Sequence, residues 1–244
     1  MATLLPLLFL GFFLGMRHAT DPDHVVAVTT IVSRERSIRG AAAIGALWGV
    51  GHTVTIALVG GAIIAFGIVI PPRVGLSMEM SVAVMLVVLG AMNLTGVARR
   101  FHELAHGEGE GEVHAHDGQS VHRHDVPAPR LLARMGVLGV ARPLIIGLVH
   151  GLAGSAAIAL LVLTTVRDAR WAVLYLLLFG VGTIAGMMTL TSLMAVPFTL
   201  TAANKMERVN ALMGRATSVA SVAFGLYLAY RIGVVDGLFG SSPV

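Results

Sequence analysis

"GMRHATDPDHVVAV", residues 15–28, places one arginine, two histidines and two aspartates directly after the apolar run Leu4–Met16. On one unbroken helix successive residues turn by about 100°, so His18 and His24 would point roughly 240° apart and could not share a ligand. The Asp21–Pro22 step removes that obstacle. A residue before proline is pushed out of the α region, and proline suits the first turn of a new helix. Asp21 is then expected at the N-cap, with Asp23 and His24 in the first turn that follows. The chain bends there and brings His18 back towards Asp23 and His24. Irregular backbone at membrane depth is tolerated where it lines a cavity.

The rest of the chain places this stretch in a membrane. Of 244 residues, 56% are hydrophobic and 12% charged, and the mean hydropathy is +0.83. A soluble domain carries about 25% charged residues. Residues 40–72, 143–166, 171–204 and 216–230 contain no Asp, Glu, Lys or Arg, and 74–98 contain only Glu79. A spanning helix needs about 20 apolar residues. Six spans are expected, near 4–32, 41–69, 76–98, 141–165, 171–197 and 212–232. The first is either one interrupted helix or has a re-entrant front half, because Leu4–Met16 is too short to cross alone. The N-terminus has no basic region and no small-residue cleavage site, so it does not read as a signal peptide. The absence of Cys excludes disulfides, thiol catalysis and thiolate ligands. The sequence pI of 10.3 reflects arginines flanking spans rather than affinity for nucleic acid.

Twelve Lys and Arg residues fall in loops on one side of this layout (Arg34, Arg36, Arg39, Arg99, Arg100, Arg123, Arg130, Arg134, Arg142, Lys205, Arg208, Arg215). Four fall on the other (Arg73, Arg167, Arg170, Arg231). The richer side is expected in the cytoplasm of an inner-membrane, multi-pass protein, with both termini outside. A cysteine placed at Ser120 in this Cys-free chain should therefore resist impermeant thiol reagents in intact cells. Ready labelling there would overturn the orientation.

Three units follow: an N-terminal half (1–98), a linker (99–135) and a C-terminal half (136–244). The halves repeat weakly. "GMRHATDPDHVVAVTTIV" (15–32) lies over "GLVHGLAGSAAIALLVLTTV" (147–166), with His18 over His150. "WGVGHT" (48–53) lies over "FGVGTI" (179–184), at nearly the same offset. Three spans per half make the repeats inverted, a layout common in transporters whose site lies near the midplane. The fold class is thus all-α, a polytopic transmembrane bundle of about six spans in two inverted three-helix repeats, with the first helix broken near Asp21–Pro22. The linker segment 101–125 holds six of the ten histidines and six acidic residues. It lacks apolar periodicity, so it is expected to be disordered, and such tracts can hold metal loosely.

His18, Asp23, His24 and His52 are the candidate metal ligands, with His150 as a fifth. Clustered ionisable groups inside a membrane are unfavourable unless they serve a function. His52 follows "GVG" in the second span, where glycines let another helix approach closely. A lone membrane histidine is often only an interhelical hydrogen-bonding group, and this alternative stays open for His150. Imidazole with carboxylate and no sulfur suits Ni, Co, Zn, Fe or Mn rather than Cu(I), Mg or Ca.

"RHATDPDHVVAV" (17–28) resembles the His-x4-Asp-His signature of the nickel/cobalt transporter family, with His18, Asp23 and His24 as its defining residues. "GVGHTVT" (49–55) resembles that family's second signature, with His52 as its histidine. The resemblance is specific over about forty residues. The stretch corresponding to a later motif, "GLVHGLAGSAAIAL" (147–160), has His150 and Ser155 but no acid. The chain is thus similar to shorter, six-span members of urease-accessory or nickel/cobalt efflux type.

That resemblance implies a secondary transporter, not an enzyme, moving Ni²⁺ or Co²⁺ as substrate, with uptake preferred to efflux and no prosthetic group. Its implied partners are the metal ion, the bilayer and cytoplasmic nickel chaperones or metalloenzyme maturation proteins, with no nucleic acid. No Walker A pattern indicates a built-in ATPase. Two other readings use the same residues. An intramembrane metalloenzyme lacks His-Glu-x-x-His and a separate general base. A haem carrier with His18 and His150 as axial ligands is at odds with the flanking Asp21 and Asp23.

Overall fold

The structure, a computed structural model, describes residues 4–67, 70–96, 128–151, 166 and 168–240. Among these residues every regular element is a helix. The helices are α1 (Leu4–His18), α2 (Pro22–Val32), α3 (Ile38–Phe66), α4 (Pro72–Thr95), α5 (Ala128–His150), α6 (Ala169–Ala203) and α7 (Glu207–Tyr230). Arg231–Val235 continues α7 as a π-helical turn.

The helix ends follow from local chemistry. The Ser37 side chain accepts from Gly40 N at the start of α3, and the Asp168 side chain accepts from Arg170 N at the start of α6. Gly67 (φ 62°) and Gly96 (φ 71°) close α3 and α4 in the left-handed region that glycine enters without strain. Pro71–Pro72 opens α4.

Four helices are long and apolar enough to cross a bilayer: α3, α4, α6, and α7 with its π-helical extension. They coincide with the expected spans 41–69, 76–98, 171–197 and 212–232. The expected span 4–32 is two helices, α1 and α2, meeting at the Asp-Pro step. The expected span 141–165 begins within α5, and residues 152–165 lie outside the described residues. Most of the linker (99–127) also lies outside them. Its last eight residues, 128–135, form the first turns of α5.

Packing reverses the soluble pattern. Leu58, Phe66, Leu177, Leu193, Leu212 and Leu226 face outwards, while His18, His24, His52, His150, Thr183, Thr191 and Ser221 are buried. A surface this apolar belongs in lipid. In the bundle α6 lies between α1 and α3, and α3 in turn packs against α5. α4 pairs with α7, and α2 bridges that pair to α6.

The layer is held by main chain against main chain. A Cβ added to Gly15 would collide with the backbone of Phe179 and Thr183, and one added to Gly147 with that of Trp48 and His52. Gly182 stands in the same way on Phe12, and Gly51 on Leu144. In the second pair of helices Gly90 meets Ser218 and Val222, and Gly225 meets Ala83 and Val87. Small residues permit such approaches, and hydroxyls then bond across them. Thr55 Oγ1 donates to Leu148 O (2.9 Å), and Ser221 Oγ to Leu86 O (2.8 Å). These are the interhelical roles that threonine and serine ordinarily take in membranes.

Candidate metal centre

The break between α1 and α2 is a tight turn. Thr20 N donates to Arg17 O (2.8 Å), and Asp21 N to His18 O (3.1 Å). Asp21 then occupies the N-cap of α2 in extended conformation, and Pro22 follows at the first helical position. One local expectation needs correction. The Asp21 side chain makes no capping hydrogen bond. Its Oδ2 lies 3.0 Å from His18 Nδ1 instead, because the turn folds the last residue of α1 back over it.

The fold brings all five predicted residues together. His18 and His24 have ring centroids 4.8 Å apart, so the bend does what their spacing required. His18 and His52 rings lie 4.6 Å apart, His24 and His52 5.2 Å, and His24 and His150 4.9 Å. All four imidazoles are at most 1% exposed. Asp23 links two of them: its Oδ1 accepts from His24 Nδ1 (3.1 Å), and its Oδ2 lies 3.7 Å from His150 Nε2. Four of the five groups come from α1, α2 and α3. His150, the last residue of α5, is the single contribution from beyond the linker.

His18 Nδ1–H donates to Asp21, and His18 Nε2 lies within hydrogen-bonding distance of His52 Nε2, at 2.6 Å. His24 Nε2, His52 Nδ1 and His150 Nε2 have no hydrogen-bond partner among the described residues. Buried polar atoms left unpaired are unfavourable. Lone pairs converging from several rings are what a soft or borderline cation satisfies. Ligand atoms of His18, His24 and His52 all lie within 4.8 Å of one another. Tetrahedral nitrogen ligands about 2.0–2.1 Å from a metal stand about 3.3 Å apart. Movements of about 1 Å would therefore suffice to admit an ion.

Two contributors went unseen in the sequence. Asp21 orients His18, as carboxylates orient metal-bound imidazoles. An acid three residues beyond a histidine at a helix end was the available signal. Trp48 stacks on His24 (centroids 5.9 Å, 20° between planes) and meets His150 edge-on. Its spacing of four from His52 on α3 marks it only in retrospect. Asn93 is not a member of the cluster: its Nδ2 donates to Ser33 Oγ (3.2 Å) and Ser218 Oγ (2.6 Å). Ser155 and the six linker histidines lie outside the described residues.

No family model matches the chain, and no solved structure matches it. It is 37% identical over 236 residues to the urease accessory protein UreH of Bacillus sp. (strain TB-90), which covers 97% of this chain and 96% of the relative. Identity of that degree along nearly the whole of both chains shows descent from one ancestor, and the chain belongs to the family of urease accessory protein UreH.

Proposed function

We propose that the protein is a secondary transporter that takes up Ni²⁺, and also Co²⁺, across the inner membrane, with the ion held by His18, Asp23, His24, His52 and His150. The observation that carries this reading is the buried group of four imidazoles and a carboxylate, with unpaired nitrogens, inside a lipid-facing bundle. Such groups inside a membrane mark ion pathways. The relative is named a urease accessory protein, and because urease is a nickel enzyme that name supports nickel as the ion and uptake as the direction. Nitrogen and carboxylate donors without sulfur suit that ion.

Two inverted halves complete the proposal. The glycine contacts support it, because they are reciprocal. Gly15 on Phe179 and Gly147 on Trp48 are related by the same offsets of 132 and 131 residues that align the sequence. Gly182 on Phe12 and Gly51 on Leu144 are related by them too. A constant 135 relates Gly90 on Val222 to Gly225 on Val87. Metalloenzyme chemistry is the weaker reading, because among the described residues both carboxylates at the imidazoles are engaged, Asp23 by His24 and Asp21 by His18.

The test is uptake of Ni²⁺ by proteoliposomes containing the full chain, with Co²⁺ and Zn²⁺ as competitors. Saturable uptake, inhibited by Co²⁺, is expected. Equilibrium binding should weaken as pH falls, because a protonated ring cannot ligate. The absence of any bound or transported nickel would dismiss the proposal.

A further inference from the structure

A cavity of about 420 Å³ opens beside the cluster, where the α1–α2 break, the first turns of α4 and the end of α7 meet. Its walls carry four acids (Asp21, Asp23, Glu79, Asp236) and one cation, Arg231. Arg231 Nε lies 3.8 Å from Asp236 Oδ2, and the four acids still outnumber the one cation. Asp23 belongs both to this wall and to the histidine cluster. Behind it His150 is fully buried and directs Nε2, which has no hydrogen-bond partner among the described residues, at the Asp23 carboxylate across 3.7 Å. The cavity therefore ends on a carboxylate backed by an unsatisfied imidazole.

The other end of the same helices is closed. Asn93 near the end of α4 bonds Ser33 after α2 and Ser218 in α7, and Arg34 Nη2 donates to Asn93 O (2.7 Å). Ser33 and Ser218 are at most 5% exposed. One end of the α2–α4–α7 group is thus an acidic opening, and the other is a polar plug.

We propose that the acidic cavity is the access path by which a hydrated divalent cation reaches the histidine cluster, with Glu79 and Asp236 as its capture groups and Asp23 as the point of transfer. The structure is open towards the side that carries Arg73 and Arg231 and shut at Ser33–Asn93–Ser218. A cleft of one sign between low-dielectric walls concentrates counter-ions, and it does so without selecting among divalent metals. Selection falls to the nitrogens beyond it. This assignment rests on the transport reading above.

The test is a double variant, Glu79→Gln with Asp236→Asn, which removes two charges and little volume. In proteoliposomes of the full chain the Ni²⁺ concentration giving half-maximal uptake should rise about tenfold, and its dependence on ionic strength should flatten. Calorimetry with Ni²⁺ on the solubilised variant should show the central affinity retained. Labelling gives an independent measurement. Glu79→Cys should react with an impermeant thiol reagent from the side that labels Arg73→Cys, and Ser218→Cys should react from neither side. Unchanged half-saturation in the double variant overturns the path, as does labelling of Glu79→Cys from the opposite side. Loss of central affinity overturns it too, by making these acids part of the cluster itself. A wild-type protein that neither binds nor carries nickel defeats the transport reading instead.

Discussion

His24→Ala is expected to abolish saturable nickel uptake and to lower equilibrium affinity by on the order of 100-fold or more, since even outer partners of ligands contribute 10–100-fold. His24 is the hub of the cluster. Its ring meets those of His18, His52 and His150, and its Nδ1 holds Asp23 in place. Removing it loses a donor and frees the carboxylate together. His18→Ala, His52→Ala and Asp23→Asn should come close to the same loss. Asp23→Glu, which keeps the charge on a longer arm, should not restore uptake. His150→Ala should be milder, about tenfold, because His150 touches the cluster only through His24 and Asp23. Each variant must still insert and elute as a monodisperse peak, which calorimetry with Ni²⁺ on purified protein presupposes. Wild-type affinity in His18→Ala, His24→Ala and His52→Ala would remove the site.

Gly147→Val should have the largest effect on stability. A side chain there meets the backbone of Trp48 and His52, which cannot move aside as a flexible side chain could. Forcing atoms into a packed contact typically costs about 1–3 kcal/mol, and a main-chain contact belongs at or above the upper end. α5 would have to withdraw from α3, carrying His150 away from His24, so nickel affinity should fall along with thermal stability. Gly61→Val is the control on the neighbouring helix α3, since nothing lies within 4 Å of a Cβ at that position. Thermal unfolding of the two variants in detergent compares them directly. Equal losses would show that helix propensity, not close approach, explains the glycines.

Much of this arrangement was legible in the residues. The charge-free runs located the four long helices because a bilayer leaves few other solutions for such segments. The Asp21–Pro22 step placed the break, and the break placed His18 beside His24. Helix starts were less legible. α5 begins at Ala128 and α7 at Glu207, ahead of the apolar runs at 141 and 212. Hydropathy marks where lipid begins, whereas Ala, Leu, Arg and Met carry a helix equally well into water. The partner of Asp21 was legible only as an acid three residues beyond a histidine at a helix end. Capping is decided within four residues, but the choice between a cap and His18 depends on how the turn folds back. Glu79 stood out in the sequence only as the one charge in 74–98, and only the tertiary fold sets it in one cavity with Asp236.

On the proposed ligand set, the uneven sharing of donors between the two parts of the chain has a kinetic consequence. His18, Asp23, His24 and His52 travel with α1–α3, whereas His150 travels with α5. If α5 slides against α3, an ion held by this shell exchanges one donor and keeps four. The first step of release is then a single ligand substitution, with water able to take the vacated position, rather than the stripping of the whole coordination sphere at once. A tight-binding ion can leave such a site stepwise, each step small enough to be crossed at thermal energies.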